Sequence, residues 1–283
     1  MKIACLSGKG GAGKTFVAVN LASAAASSGD VTYIDCDVEE PNGHIFLKPE
    51  ITEIKPVSKI LPAFDTDKCT SCRKCADFCH FHALMFIKGK PKLFDELCHS
   101  CGGCELVCEA KAVSEEEKLI GRLELGNTKL EEDISVKTVT GILNTGEASG
   151  IPIINKALEE AKSKINIIDC PPGSACSVME SIIDADYCII VAEPTAFGFH
   201  NFKMVYELTS ILGKKTGVLI NKESKLYEPL EDFLKEHEIK LLGRIPFDEE
   251  LGALMAEGKL AYKYSDKARK IFDELYTKLG GEL

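Results

Sequence analysis

The chain has 283 residues, 45% hydrophobic and 28% charged, which fits a globular fold with one large core and room for a second, smaller unit. Its formal net charge of −10 excludes a broad basic face, so no nucleic-acid partner is expected. No apolar run reaches the ~20 residues needed to span a bilayer, which excludes integral membrane association.

The strand-like segment from Lys2 to Leu6 runs straight into a glycine-rich loop and so reads as mature sequence with no secretory leader. With thirteen cysteines in such a chain, the expected compartment is the reducing cytoplasm. Apolar periodicity predicts a buried strand over Ile3–Leu6, a helix over Thr15–Ser28 closed by Gly29, and a second strand over Val31–Asp35. The same rhythm returns later, with strands at Val136–Leu143, Ile165–Asp169, Cys188–Val191, Gly217–Ile220 and Lys240–Ile245. Helices are predicted between them around Ile153–Lys162, Asn201–Leu212 and Leu230–Glu236, and after them at Glu249–Glu257 and Ser265–Leu279. Such alternation predicts an α/β fold, a doubly wound and mostly parallel sheet built from residues 1–56 and 114–283. The last helix carries Ala268, Ile271, Phe272, Leu275 and Leu279 on one face; its mixed charges predict that this face closes the core and does not lie on a membrane.

Between Pro56 and Val113 the rhythm stops, and short strands near Leu84–Lys88 and Lys92–Phe94 surround eight of the cysteines. Residues 57–113 therefore read as an inserted α+β domain, with the acidic run Glu115–Glu117 as its exit linker. Its cysteines form two quartets, Cys69-x2-Cys72-x2-Cys75-x3-Cys79 and Cys98-x2-Cys101-x2-Cys104-x3-Cys108. The quartets are an internal repeat, with Ala83-Leu84 after the first matching Ala112-Val113 after the second. This is the spacing of bacterial-type ferredoxins, in which three close cysteines hold one cube and the fourth reaches to the other. One 4Fe–4S cluster is thus assigned to Cys69, Cys72, Cys75 and Cys108, and the second to Cys98, Cys101, Cys104 and Cys79. Paired cysteines also suit tetrahedral zinc, but the third and fourth cysteines at fixed spacing, twice over, favour iron–sulfur. His80 and Glu109 stand where the ferredoxin pattern usually has proline. Of the other cysteines, Cys5 and Cys188 read as small buried hydrophobes, while Cys36, Cys170 and Cys176 flank the two aspartate segments described next.

Gly8-Lys9-Gly10-Gly11-Ala12-Gly13-Lys14-Thr15 fits G-x4-G-K-[ST] directly after a strand and at the start of a helix, with the nucleotide contacts running on to Phe16. Glycines let successive N–H groups curl around phosphate oxygens, Lys14 neutralises phosphate charge, and the Thr15 hydroxyl ligates Mg²⁺. The second lysine, Lys9, makes the loop resemble the deviant-Walker ATPases of the MinD/ParA/Mrp superfamily, which includes nitrogenase iron protein. Ile34-Asp35-Cys36-Asp37 resembles the first switch of that superfamily, and Ile168-Asp169-Cys170-Pro171-Pro172-Gly173 the second. Ala192-Glu193-Pro194-Thr195, Leu219-Ile220-Asn221-Lys222 and Gly243-Arg244-Ile245-Pro246-Phe247-Asp248 resemble further landmarks. The resemblance implies that the nucleotide is ATP, that Asp37 places the attacking water, that Asp169 is the Walker-B carboxylate, and that Asn221 and Pro246 cradle adenine. It also implies an ATP-dependent homodimer in which Lys9 reaches the partner's nucleotide. Members with an inserted ferredoxin match the rest of the chain. The implied function is an ATPase that gates electron delivery or cluster transfer to a protein partner, a redox or cluster-assembly protein. The alternatives are a positioning ATPase without redox chemistry and a zinc-binding interaction module.

Overall fold

The computed structural model describes residues 1–281. Two compact units emerge from it: among the described residues, one of 1–55, 122–142 and 153–281, the other of 56–121 and 143–152. The first unit opens with β1 (Lys2–Leu6), α1 (Lys14–Ala26), β2 (Val31–Asp35) and the short α2 (Gly43–Leu47). Strand β3 (Glu50–Phe64) carries the chain into the second unit, which holds α3 (Lys74–Phe78), β4 (Leu84–Ile87), β5 (Lys90–Leu93) and α4 (Gly103–Leu106). Strand β6 (Val113–Lys129) leads back, followed by β7 (Ser135–Leu143), α5 (Ile151–Leu158), β8 (Ile165–Asp169), α6 (Cys176–Ile182) and β9 (Tyr187–Ala192). The chain continues through α7 (Ala196–Ile211), β10 (Thr216–Glu223), α8 (Glu228–Glu236), β11 (Lys240–Pro246), α9 (Glu249–Ala256), α10 (Ala261–Tyr264) and α11 (Asp266–Gly280).

Nine strands form one sheet in the order β11-β10-β9-β1-β8-β2-β7-β6-β3. The first seven in that order pair in parallel, with Asp35 beside Asp169 and Cys5 beside the same aspartate. Central strands such as β9, Tyr-Cys-Ile-Ile-Val-Ala, are apolar at successive positions because both faces are covered. Ile3, Tyr33, Ile167, Ile189 and Leu219 alternate onto one face and pack on α1 and on the α9–α11 segment. Phe16 of α1 meets Phe272 of α11 edge-on at 5.7 Å, so the final helix closes this core. Val178, Ile182, Phe202 and Val205 of α6 and α7 are fully or nearly fully buried outside that cluster.

The strands predicted around the nucleotide loop stand within one or two residues of their expected bounds, apart from β10, which runs to Glu223. Two long elements were not expected. β3 has 15 residues and β6 has 17, and Glu115–Glu117, read above as a linker, lies inside β6. Glutamate is a poor strand former, but the pairing partner sets the backbone and the charged side chains stay exposed. No helix among the described residues is long and apolar enough to cross a membrane.

Candidate functional site

Parallel strands place whatever follows their carboxyl ends in one crevice. The glycine-rich loop follows β1, the Asp35–Asp37 segment ends β2, Asp169 ends β8, Glu193 follows β9 and Asn221 sits near the end of β10. These five strands are consecutive in the sheet, so segments far apart in sequence converge.

The loop can take its shape because of two glycines. Gly13 caps α1 with a φ of 95° and no side-chain acceptor, leaving the first helical N–H groups open to an anion. A Cβ on Gly8 would stand 2.2 Å from the Asn201 carbonyl oxygen, so only glycine lets α7 approach. At the crevice floor, Lys14 Nζ lies 2.7 Å from Asp169 Oδ1 and 3.6 Å from Asp37 Oδ2. Burial opposes the Lys14 charge, yet Asp169, Asp37 and Asp35 together hold the ammonium well above the usual lysine range. The single Tyr33 hydroxyl hydrogen is shared between Asp169 Oδ2, at 2.9 Å, and Asp35 Oδ2, at 3.2 Å. Asp35 also accepts from the amides of Gly43 at 3.0 Å and Asp37 at 3.2 Å. Burial, then Asp169, pushes the Asp35 carboxyl up to about 7, and burial pushes Asp37 up to about 6 against the pull of Lys14. Thr15 is half-buried at the start of α1, and the Phe16 ring points into the core, leaving only its backbone for a nucleotide.

Lys9 is engaged within its own chain: it pairs with Glu193 and lies 5.3 Å from the Phe197 ring centre. The other oxygen of Glu193 takes Lys222 at 2.8 Å, and Lys222 also donates to the Gly11 carbonyl at 2.6 Å. Asn221 is buried and donates to the Ala12 carbonyl at 2.8 Å, bracing the loop; Pro246 closes β11 opposite Glu223. Four residues to which sequence reading gave no role thus belong to the site: Tyr33, Asp35, Glu193 and Lys222. The alternation Tyr33, Asp35, Asp37 along one strand end carried a signal for the first two, whereas the Glu193 bridge needs the tertiary structure.

In the second unit, the quartets have matching backbones. Ser71 and Arg73 in the first, and Ser100 and Gly102 in the second, all take positive φ between 53° and 71°. His82 and Lys111, each three residues after the fourth cysteine, also take positive φ, at 52° and 49°. Phe94 N donates to Ala83 O and Asp65 N to Ala112 O, both at 2.8 Å, so the repeat extends to its hydrogen bonds. One cavity is lined by Cys69, Cys72, Cys75 and Cys108, and a second by Cys79, Cys98, Cys101 and Cys104. Each draws three sulfurs from one quartet and one from the other. Burial, reinforced by Cys108 and Cys69, raises the Cys75 thiol, and burial with Cys98 and Cys101 nearby pushes Cys104 up to about 11. The Lys74 amide and then the Thr70 hydroxyl hold Cys72 lower, and the Ala112 amide donates to Cys108 Sγ at 3.3 Å. Backbone amides thus already point at two of the eight sulfurs, Cys72 and Cys108. Among the described residues, no three histidine, cysteine or carboxylate side chains close to the spacing of a single ion. A four-iron cube needs a wider set of sulfurs, and the two four-thiol cavities match that donor chemistry. Glu109 pairs with Lys74 at 2.5 Å, and His99 stacks on Phe81 at 3.7 Å. Cys5, Cys36, Cys170 and Cys188 are buried, and Cys176 is exposed at the start of α6.

A phosphate loop opening a helix, a lysine on two strand-end aspartates and a second loop lysine define a P-loop nucleotide-binding domain. The chain belongs to the CobQ/CobB/MinD/ParA nucleotide binding domain family (CbiA), which matches residues 3–261. Among its relatives, uncharacterized protein MJ0578 of Methanocaldococcus jannaschii is 28% identical over 282 residues, covering 99% of this chain and 96% of the relative. An uncharacterized ATP-binding protein of the same organism, MJ0823, is 28% identical and covers 96% of each chain. In fold the chain is similar to the septum site-determining protein MinD of Pyrococcus horikoshii in complex with Mg-ADP, at a TM-score of 0.62, 19% identity and coverage of 98% and 95%. The ATP complex of a McdA variant from Cyanothece is similar at a TM-score of 0.58, 16% identity and coverage of 99% and 96%.

Proposed function

We propose that this chain is an ATPase whose nucleotide-dependent dimerisation gates electron delivery or cluster transfer to a protein partner, in iron–sulfur or metallocofactor assembly. The observation that carries this reading is the pair of four-cysteine cavities in a chain that also holds a complete P-loop crevice. The loop amides and Lys14 bind and orient the phosphates, Asp37 holds the attacking water, and Thr15 with Asp169 would hold Mg²⁺, which would screen phosphate charge. Asn221 and Pro246 line the adenine side. In the second unit, Cys69, Cys72, Cys75 and Cys108 would hold one 4Fe–4S cluster, and Cys98, Cys101, Cys104 and Cys79 the other. Such clusters supply one-electron carriers. The amides that reach Cys72 and Cys108 would stabilise the anionic sulfurs of a bound cluster, whose edge at the exposed Cys72 and Cys101 would stay open to a partner.

Metal and sulfide analysis of protein purified without oxygen tests the reading. About eight iron and eight sulfide per chain are expected, with Cys72→Ser losing part of the iron while still binding nucleotide. About two zinc per chain and no sulfide would instead establish the zinc module. The likeness to MinD and McdA structures favours a second reading, a positioning ATPase. Mg-ATP-dependent sedimentation with DNA or with vesicles, by a protein lacking iron and sulfide, would select it.

A further inference from the structure

A second cavity of the first unit lies away from the nucleotide crevice. Strands β2 and β7 are parallel, with Lys137 beside Thr32 and Thr140 beside Asp35. The end of β6 at Lys129 and the turn that starts β7 at Ser135 therefore stand at the amino ends of the strands, whereas Asp35 and Asp169 stand at the carboxyl ends. Here a cavity of about 330 Å³ opens between the end of α2, the end of β6 and the α9–α10 connection. That volume is at the small end of the range for solute-binding pockets, ~300–1,000 Å³.

Its charge is one-sided. Lys48, Lys129, Lys259 and Lys263 line it, against the single carboxylate Glu50. Lys259 is already engaged, 2.6 Å from Glu257 and beside the Tyr264 ring at 5.8 Å. Lys48 stands at a φ of 47°, a conformation uncommon for a side chain larger than glycine, and closes α2 through its amide to the His44 carbonyl at 2.9 Å. The wall also holds Thr128, which is only 7% exposed and whose hydroxyl has no hydrogen-bond partner among the described residues. Buried hydroxyls are almost always partnered, so an unpartnered one in the lining of a lysine-rich cavity marks a place for an acceptor that arrives from outside. Lysine ammoniums are mobile point charges suited to a phosphoryl group, and the hydroxyl adds a directed donor.

We propose that this cavity binds a small phosphorylated solute, held by Lys129 and Lys263 with Thr128 donating to a phosphoryl oxygen, at a site separate from the P-loop. The probe is inorganic pyrophosphate, titrated calorimetrically into the full chain after the P-loop has been saturated with Mg-ADP. One site per chain is expected. Lys129→Glu combined with Lys263→Glu should weaken it by at least about tenfold, and Thr128→Val should weaken it while Thr128→Ser retains it. The single changes Lys129→Gln and Lys263→Gln, at exposed positions, should each give an intermediate loss, so the test does not depend on the folding of the double variant. Absence of pyrophosphate binding by the parent chain overturns the proposal. So does an affinity unchanged in the lysine variants, or lowered equally by reversing Lys203 and Lys235, which would mark a general charge effect. Lysine-dependent sedimentation with phosphatidylglycerol vesicles, without pyrophosphate binding, would assign the patch to lipid headgroups and equally overturn it.

Discussion

Among the described residues Lys14 is the one ammonium facing the carboxylates of Asp35, Asp37 and Asp169, and that imbalance governs how the crevice responds to pH and to mutation. Asp35 and Asp37 are raised from 3.8 to about 7 and about 6. Across that window the folded chain keeps protons the unfolded chain has released, so their contribution to stability is full below it and is lost as pH climbs through both values. The melting temperature of nucleotide-free protein is therefore expected to fall between about pH 4 and about pH 7, and less steeply in Asp37→Asn. Equal slopes for the two proteins would show that Asp37 does not titrate in this window. Lys14→Ala should lose nucleotide and also destabilise the nucleotide-free protein by about 3–5 kcal/mol, because it strands buried carboxylates; urea unfolding measures the second effect separately. Asp37→Ala should bind ATP yet fail to turn it over, seen as retained binding with lost phosphate release.

The elements show which parts of this architecture could be read from the chain. β2 and β8 stand at their predicted bounds because continuous apolar runs ending in aspartate announce buried parallel strands. The glycine loop was equally legible, since a phosphate cradle fixes its spacing along the chain; the cysteine quartets are legible as a repeat, whose cluster role rests with the proposed function. β3 and β6 were not: Pro56 and the acidic run argue locally against strands, and only a neighbouring strand supplies the opposite argument. The Glu193 bridge to Lys9 and Lys222 was also invisible, because it joins residues that only the sheet order brings together. At this scale α11 seals the core through Phe272, which is 1% exposed. Phe272→Ala is expected to cost about 3–5 kcal/mol in urea unfolding while leaving the iron and sulfide content unchanged. A loss well under that range would mean that α11 rests on the core without sealing it.

For the whole molecule, Mg-ATP is expected to double the mass seen by light scattering, with Mg-ADP leaving it unchanged. A chain that stays monomeric with ATP bound would remove the crossed-dimer scheme from the proposed function. Lys9→Ala should then bind ATP but hydrolyse it about 10³–10⁵-fold more slowly, if that lysine serves as a finger in the facing copy. The contact between Lys9 and Glu193 gives this scheme a resting position, because an internal carboxylate occupies the lysine that the second copy would need. Under that scheme Glu193 would act as a placeholder for a phosphate: a solitary chain would idle, and an encounter between two loaded chains would first have to exchange one anion for another. Glu193→Gln should accordingly loosen Lys9 and raise the basal rate, and added salt should do the same in the parent chain, since the bridge is only partly buried.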